Sequence, residues 1–146
     1  MKMNILVIED CKPKFESISR CIIERFPEAA VTCAVSYQEG VNKAYKGNFD
    51  FIVLDNSLPV YSSYPNDVKT DMASVILDEF NEFGINSPCV ICSQYDPGEK
   101  EAFFTRLVNT FDSCVGFIRY DNTSDEWKGS LIIYLEEIIK VKKDIK

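Results

Sequence analysis

Phe49-Asp50-Phe51-Ile52-Val53-Leu54-Asp55-Asn56-Ser57-Leu58-Pro59 is the stretch on which the fold turns. Residues 51–54 are apolar without alternation, which marks a short strand covered on both faces, as in a parallel sheet. An aspartate closes the run. Residues 3–8 repeat the pattern at the start of the chain and are followed by a second acidic signal, Glu9-Asp10. Residues 31–35, 89–92 and 115–118 are predicted as further strands of the same kind.

Between these runs the apolar period becomes helical. Pro13 opens a first helix in which Phe15, Ile18 and Ile22 share a face that Phe26 extends. Ser36 is the predicted N-cap of a second, with Val41 and Ala44 inward and Gly47 at its end. A third runs through Val75, Ile76, Glu79 and Phe80 to Gly84, and a fourth over about residues 98–111. The fifth is expected from Thr123, in a capping box with Glu126, with Trp127, Leu131, Tyr134, Leu135 and Ile138 on one face. Five alternations of strand and helix predict an α/β fold, a doubly wound five-stranded parallel sheet with helices on both faces and right-handed crossovers. In such sheets ligands bind beyond the carboxyl ends of the strands, where strand order reverses. No repeat, low-complexity tract or linker divides the chain, so one domain over 1–146 is expected, with an enlarged loop at about 60–72.

Composition narrows the function. The 146 residues carry a net charge of −7, and clustered Lys and Arg are what a phosphate backbone needs, so no direct nucleic-acid partner is expected. The one basic cluster, residues 140–146, suits a solvated helix end. No apolar run approaches the ~20 residues of a membrane span, and the start lacks a signal-peptide core, so a soluble, cytoplasmic protein is expected. Histidine is absent, which excludes His-based triads, imidazole metal ligands and a phosphohistidine on this chain. Cys11, Cys21, Cys33, Cys89, Cys92 and Cys114 are expected to be reduced. Cys89 and Cys92 form a CxxC pattern, but in a strand residues three apart point to opposite faces.

At the predicted strand ends stand Glu9, Asp10, Asp55, Ser93 and Tyr120, which are expected to converge on one crevice. Singly, an acidic pair after a strand is a solvated turn and a serine there a helix cap. Together they bring three carboxylates close, which raises their pKa values unless a cation neutralises them. Mg2+, with its preference for hard oxygen ligands, is the economical candidate.

In this order the segments resemble the receiver domains of response regulators (CheY-like). Residues 5–10 are similar to their first strand and acidic pair, and residues 49–59 to their third strand, with the phosphorylated aspartate four residues before a proline. Residues 87–93 resemble the fourth strand with its switch hydroxyl, and residues 116–118 the start of the fifth. The resemblance implies a (βα)5 flavodoxin-like fold and a phosphoacceptor in a two-component phosphorelay. Asp55 becomes the nucleophile that forms an aspartyl phosphate, and Glu9, Asp10, Asp55 and the Ser57 backbone carbonyl hold Mg2+. Ser93 becomes the switch hydroxyl and Phe117 the aromatic switch. It also implies a sensor histidine kinase or phosphotransfer protein as donor, and an output partner or homodimer on the face of the fourth helix, fifth strand and fifth helix. No enzyme activity is expected beyond self-phosphorylation and self-dephosphorylation.

Three features depart from the pattern. Tyr120 stands where receivers carry a lysine, and Arg119 would replace that charge only if a bulge turned it inward. Gln94 follows the switch hydroxyl where a small residue is usual. The loop after Pro59 is longer by about ten residues, would hang over the site, and is open to being a surface excursion or a lid. Phe103, Phe104, Leu107, Val108 and Phe111 give the fourth helix more apolar surface than one stripe requires, with an exposed remainder suited to docking. A pseudo-receiver interaction module that has abandoned phosphorylation, and a Mg2+-dependent phosphatase or phosphotransferase, are the alternative functions.

Overall fold

Alternate residues of a strand face opposite sides, and here both sides are apolar, so the sheet supports two helical layers. In the computed structural model, which describes residues 2–145 with side chains through 143, the elements run β1 (Asn4–Ile8), α1 (Lys12–Arg25), β2 (Ala30–Ala34), α2 (Tyr37–Lys46), β3 (Phe51–Leu54), β4 (Leu58–Pro59), β5 (Val68–Lys69), α3 (Met72–Glu82), β6 (Cys89–Ser93), α4 (Glu101–Thr110), β7 (Cys114–Arg119) and α5 (Glu126–Ile145). The end of the basic run, from 144 on, thus lies outside the described side chains.

The main sheet has the order β2-β1-β3-β6-β7 with every pairing parallel. This is the predicted doubly wound sheet. Leu6, Ile8, Ile52, Leu54, Cys89 and Ile91 join the core that includes Ile76, Phe80 and Phe104, from α3 and α4. Ile5, Val7, Phe51, Val53, Val90 and Cys92 join the opposite core with Ile18 and Ile22 of α1 and Leu131 and Leu135 of α5. Cys89 and Cys92 lie in different cores, so the CxxC pattern forms no bidentate pair.

Local signals set the helix ends. Ser36 caps α2, its hydroxyl accepting from the Glu39 amide at 3.1 Å. Gly84 follows α3 with φ +71°, where a side chain would strain the backbone, and lets the Ile85 amide reach the Phe80 carbonyl at 2.9 Å. The expected capping box of the last helix is not formed. Asp121 Oδ1 accepts from both the Thr123 amide (2.9 Å) and hydroxyl (2.7 Å), so that hydroxyl is engaged upstream, and Ser124 Oγ accepts from the Glu126 amide instead.

The enlarged loop is a short hairpin, β4 paired antiparallel with β5. Its second strand borders the crevice at the strand ends, where Val68 lies beside Glu9, Asp10 and Asp55, while its tip turns toward α2. Ser62 shares a 2.8 Å hydrogen bond with Ser36 and donates to Glu39 at 3.0 Å, and the Gln38 amide donates to the Val60 carbonyl, which fastens the tip to the start of α2. Phe103, Val108 and Phe111 pack half-buried against the core. Most of the apolar surface expected on α4 is therefore core, and these three keep a partly exposed remainder.

All six cysteines are unpaired. Burial raises the thiol of Cys21, pushes Cys114 up to about 11 and Cys92 up to about 12, and carries Cys89 higher still. Native labelling with a disulfide reagent at pH 8 is expected to modify exposed Cys11 first and half-buried Cys33 slowly. The other four should react only after denaturation.

Candidate functional site

The order of the sheet reverses at β1, which lies between β2 and β3, and the acids stand at that point. Ile8 pairs with Leu54, and the Asp55 amide donates to the Ile8 carbonyl at 3.1 Å, so the chain leaves both strands at the same level. Strand parity turns Glu9 and Asp55 toward the α1 and α5 layer, following Val7 and Val53. Both carboxylates are buried, and with Asp10 they bring three oxygens within 4.8 Å of one another. Ser57, Ser93 and Gln94 line the same crevice, whose volume is about 210 Å³.

A lysine fills the middle of this cluster. Lys14 Nζ lies 2.7 Å from Glu9 Oε1, 2.7 Å from the Cys92 carbonyl and 3.3 Å from Asp55 Oδ1, and 5.3 Å from the centre of the Tyr120 ring. The ammonium thus faces three acceptors from the ends of three strands, and its side chain is 5% exposed. Burial alone would discharge it, but the Asp55 and Glu9 carboxylates outweigh that and hold its pKa above the ordinary lysine value. Burial and the charge of Asp55 raise Glu9 above the ordinary carboxylate value, while Lys14 and the Cys11 amide pull it back. Burial also raises Asp10, partly offset by its own backbone amide.

Lys14 was not among the residues the sequence singled out. In the first turn of α1 it shares the buried face with Ile18, Cys21 and Ile22, whereas Phe15, assigned to that face from the sequence, is only half-buried. The signal was present: a lysine four residues before Ile18 continues the apolar stripe toward the end nearest Glu9-Asp10. A charge on such a stripe needs a partner.

The remaining candidates divide between the two faces of the sheet. Tyr120 follows β7 on the Lys14 side, its ring 4.9 Å from Trp127, and does not line the acidic crevice. Arg119 stays on the other side, donating from Nε to the Tyr95 carbonyl at 2.7 Å, so no inward bulge restores a charge from β7. Ser93 is buried at the end of β6. Phe117 is half-buried, with its ring 5.5 Å from that of Phe104, which also meets Tyr95 edge-on at 5.2 Å. Ser57, Ser93 and Gln94 also border a second cleft of about 450 Å³ that reaches Tyr95, Lys100, Arg119 and Tyr120.

A brace across the loops was also missed. Buried Asn56 accepts from the Ala73 amide (3.2 Å) and donates to Asp71 Oδ1 (3.2 Å), which Lys100 reaches at 3.1 Å. Asp71 holds a left-handed backbone at φ 59°. Asx and Lys residues in loops are too common for such a brace to be read before the loops are placed.

Hard carboxylate oxygens at this spacing suit Mg2+. The fit is uneven among the three acids. Glu9 already gives Oε1 to Lys14 and Oε2 to the Cys11 amide at 3.1 Å, whereas Asp55 has its second oxygen clear of Lys14, which favours Asp55 and Asp10 over Glu9 as the metal-facing acids.

No protein-family model matches the chain, and no curated protein matches it. Solved structures do. The chain is similar to a CheY-like response regulator receiver domain from Methanospirillum hungatei (15% identity, 99% of each chain, TM-score 0.70). It is also similar to the receiver domain of a putative LuxO repressor protein from Vibrio parahaemolyticus (14% identity, 100% of this chain and 98% of that one, TM-score 0.74). A third likeness is to response regulator TrrA from Thermotoga maritima, in complex with Mg2+-BeF (14% identity, 94% and 99%, TM-score 0.64). The chain has the receiver fold across nearly its whole length.

Asn56→Ala is expected to leave the buried Ala73 amide without its acceptor and to lower stability by about 1–3 kcal/mol. A shift of the urea midpoint at unchanged slope reads this out.

Proposed function

We propose that this chain is a phosphoacceptor receiver in a two-component relay, phosphorylated on Asp55. The observation that carries the reading is the place of Asp55: a buried carboxylate at the end of the central strand, converging with Glu9 and Asp10 at the switch point of a receiver fold. In the step itself, one Asp55 oxygen forms a bond to the phosphorus of a donor phosphohistidine. The P–N bond breaks, leaving its electron pair on the imidazole. The donor histidine must come from a sensor kinase or phosphotransfer protein, because this chain has none. Asp55 Oδ1 already accepts from the Asn56 amide at 2.8 Å and faces Lys14, which favours the other oxygen as nucleophile.

Asp10, Asp55 and the Ser57 carbonyl are the groups for Mg2+, which when bound would neutralise charge on the phosphoryl oxygens. The Ser93 hydroxyl then turns to the new phosphate, and Phe117 repacks behind it against Phe104, carrying the change to the face of α4, β7 and α5. That face is the site for a separate output partner or a second copy. The module acts without catalytic turnover of its own, and its unpaired cysteines suit the reducing cytoplasm.

One observation favours a second reading, an interaction module that keeps the fold and does not use phosphorylation. The position of the usual lysine is Tyr120, and the charge beside Asp55 comes from a helix already engaged with it.

Incubation with Mg2+ and a small phosphodonor, followed by intact-mass measurement, is expected to add one phosphate to the wild type and none to Asp55→Asn. A wild type that stays unmodified, with partner affinity unchanged in Asp55→Ala, would establish the second reading instead.

A further inference from the structure

The acidic crevice contains a positive charge that its sequence neighbours did not promise, and its geometry bears on how the site takes a metal. Three carboxylates and one ammonium share the cluster, and the ammonium bridges two of them. Lys14 is not a surface side chain folded back. Its stem continues the buried stripe of α1 below Ile18, and its head is also fixed by the Cys92 carbonyl at 2.7 Å, an uncharged acceptor that belongs to the sheet. The Tyr120 ring, 5.3 Å away, lies against it where it offers π density in place of a second cation. Arg119 points to the far side of the sheet, so among the described residues Lys14 is the cation paired with Asp55.

We propose that Lys14 is the resident cation of this site, that Glu9 serves to hold Lys14 and is not a metal ligand, and that Mg2+ binds through Asp10 and Asp55 only against competition from the lysine. This deepens the receiver reading without depending on phosphoryl transfer. Both Glu9 oxygens are already engaged, one with Lys14 and the other with the Cys11 amide, so a metal there would compete with both donors. Asp55 Oδ1 meets both Lys14 and the Asn56 amide, so a divalent ion arriving at Asp55 shares that carboxylate with a charge of the same sign. Inside a crevice of low dielectric such repulsion is large against the few contacts a hydrated Mg2+ makes. The ordinary receiver arrangement, in which both acids of the first loop face the metal, is thereby replaced by one acid for the metal and one for the lysine.

The full-length protein can test this with Mg2+ alone. Calorimetric Mg2+ binding gives the affinity, and the fluorescence of Trp127, the only tryptophan, follows the same event through Tyr120. Lys14→Met is expected to bind Mg2+ about tenfold more tightly than wild type, or better. Because it leaves Glu9 buried beside Asp55 without its partner, this variant alone could misfold. The double variant Lys14→Met/Glu9→Gln removes both partners, keeps the formal charge of the cluster unchanged, and replaces a buried pair by neutral groups of similar size.

If Glu9 only holds Lys14, the double variant binds Mg2+ more tightly than wild type, and Asp10→Asn in that background abolishes binding. Equal or weaker binding in the double variant, with its fold intact by circular dichroism, overturns the proposal, because Glu9 would then be contributing to the metal site. These affinities are read without a phosphodonor. A chain that never accepts phosphate could still pass, and one that does could still fail.

Discussion

The Lys14 ammonium lies where three strands of a parallel sheet end, and the arrangement around it constrains most of the molecule's functional end. It takes its acceptors from β1, β3 and β6, through Glu9, Asp55 and the Cys92 carbonyl, while the chain that carries it is the first turn of α1. Removing one partner from a buried charge pair costs about 3–5 kcal/mol, because the other is left unpaired in a medium that solvates it poorly. The helix, the strand ends and the acids therefore hold one another in place. A shift of α1 along the sheet would expose three carboxylates to each other with nothing between them.

That constraint explains why an aromatic residue suits position 120. After β7, Tyr120 is packed between Trp127 and the Lys14 head group, which in turn pairs with Asp55. An aromatic ring suits that place because the cation has already come from the other side. A second ammonium beside Lys14 would add repulsion in a buried site whose two buried carboxylates already share Lys14. Tyr120 and Lys14 are thus two halves of one electrostatic arrangement.

The opposite face of the sheet is arranged differently. There the residues above the strand ends are aromatic: half-buried Phe117 and Tyr95 both meet fully buried Phe104, and a cleft reaches from Ser57 and Ser93 to Lys100. The Asn56–Asp71–Lys100 brace spans that side. Half-buried rings beside a cleft can repack at lower cost than a close-packed core. The charged cluster on one face and the aromatic cluster on the other meet at Ser93, whose backbone carbonyl accepts from the Tyr120 amide at 2.9 Å.

The sequence by itself determined the sheet, its five alternations and the acids at its switch point, because uninterrupted apolar runs and helical periods report burial directly and strand ends follow from where the runs stop. Ser36 and Gly84 were legible for the same reason, since capping and left-handed turns depend on a few neighbouring residues. Only the tertiary structure decided what faces Asp55. Lys14 is 41 positions away in sequence, Cys92 contributes a carbonyl that carries no side-chain signal, and Thr123 lost its predicted cap to Asp121. The hairpin over residues 58–69 likewise took its direction from Ser36 and Glu39 on another helix. Charge pairing acts through space over a few ångströms, so the residue that completes the site becomes visible only once the helix carrying it has been laid against the sheet.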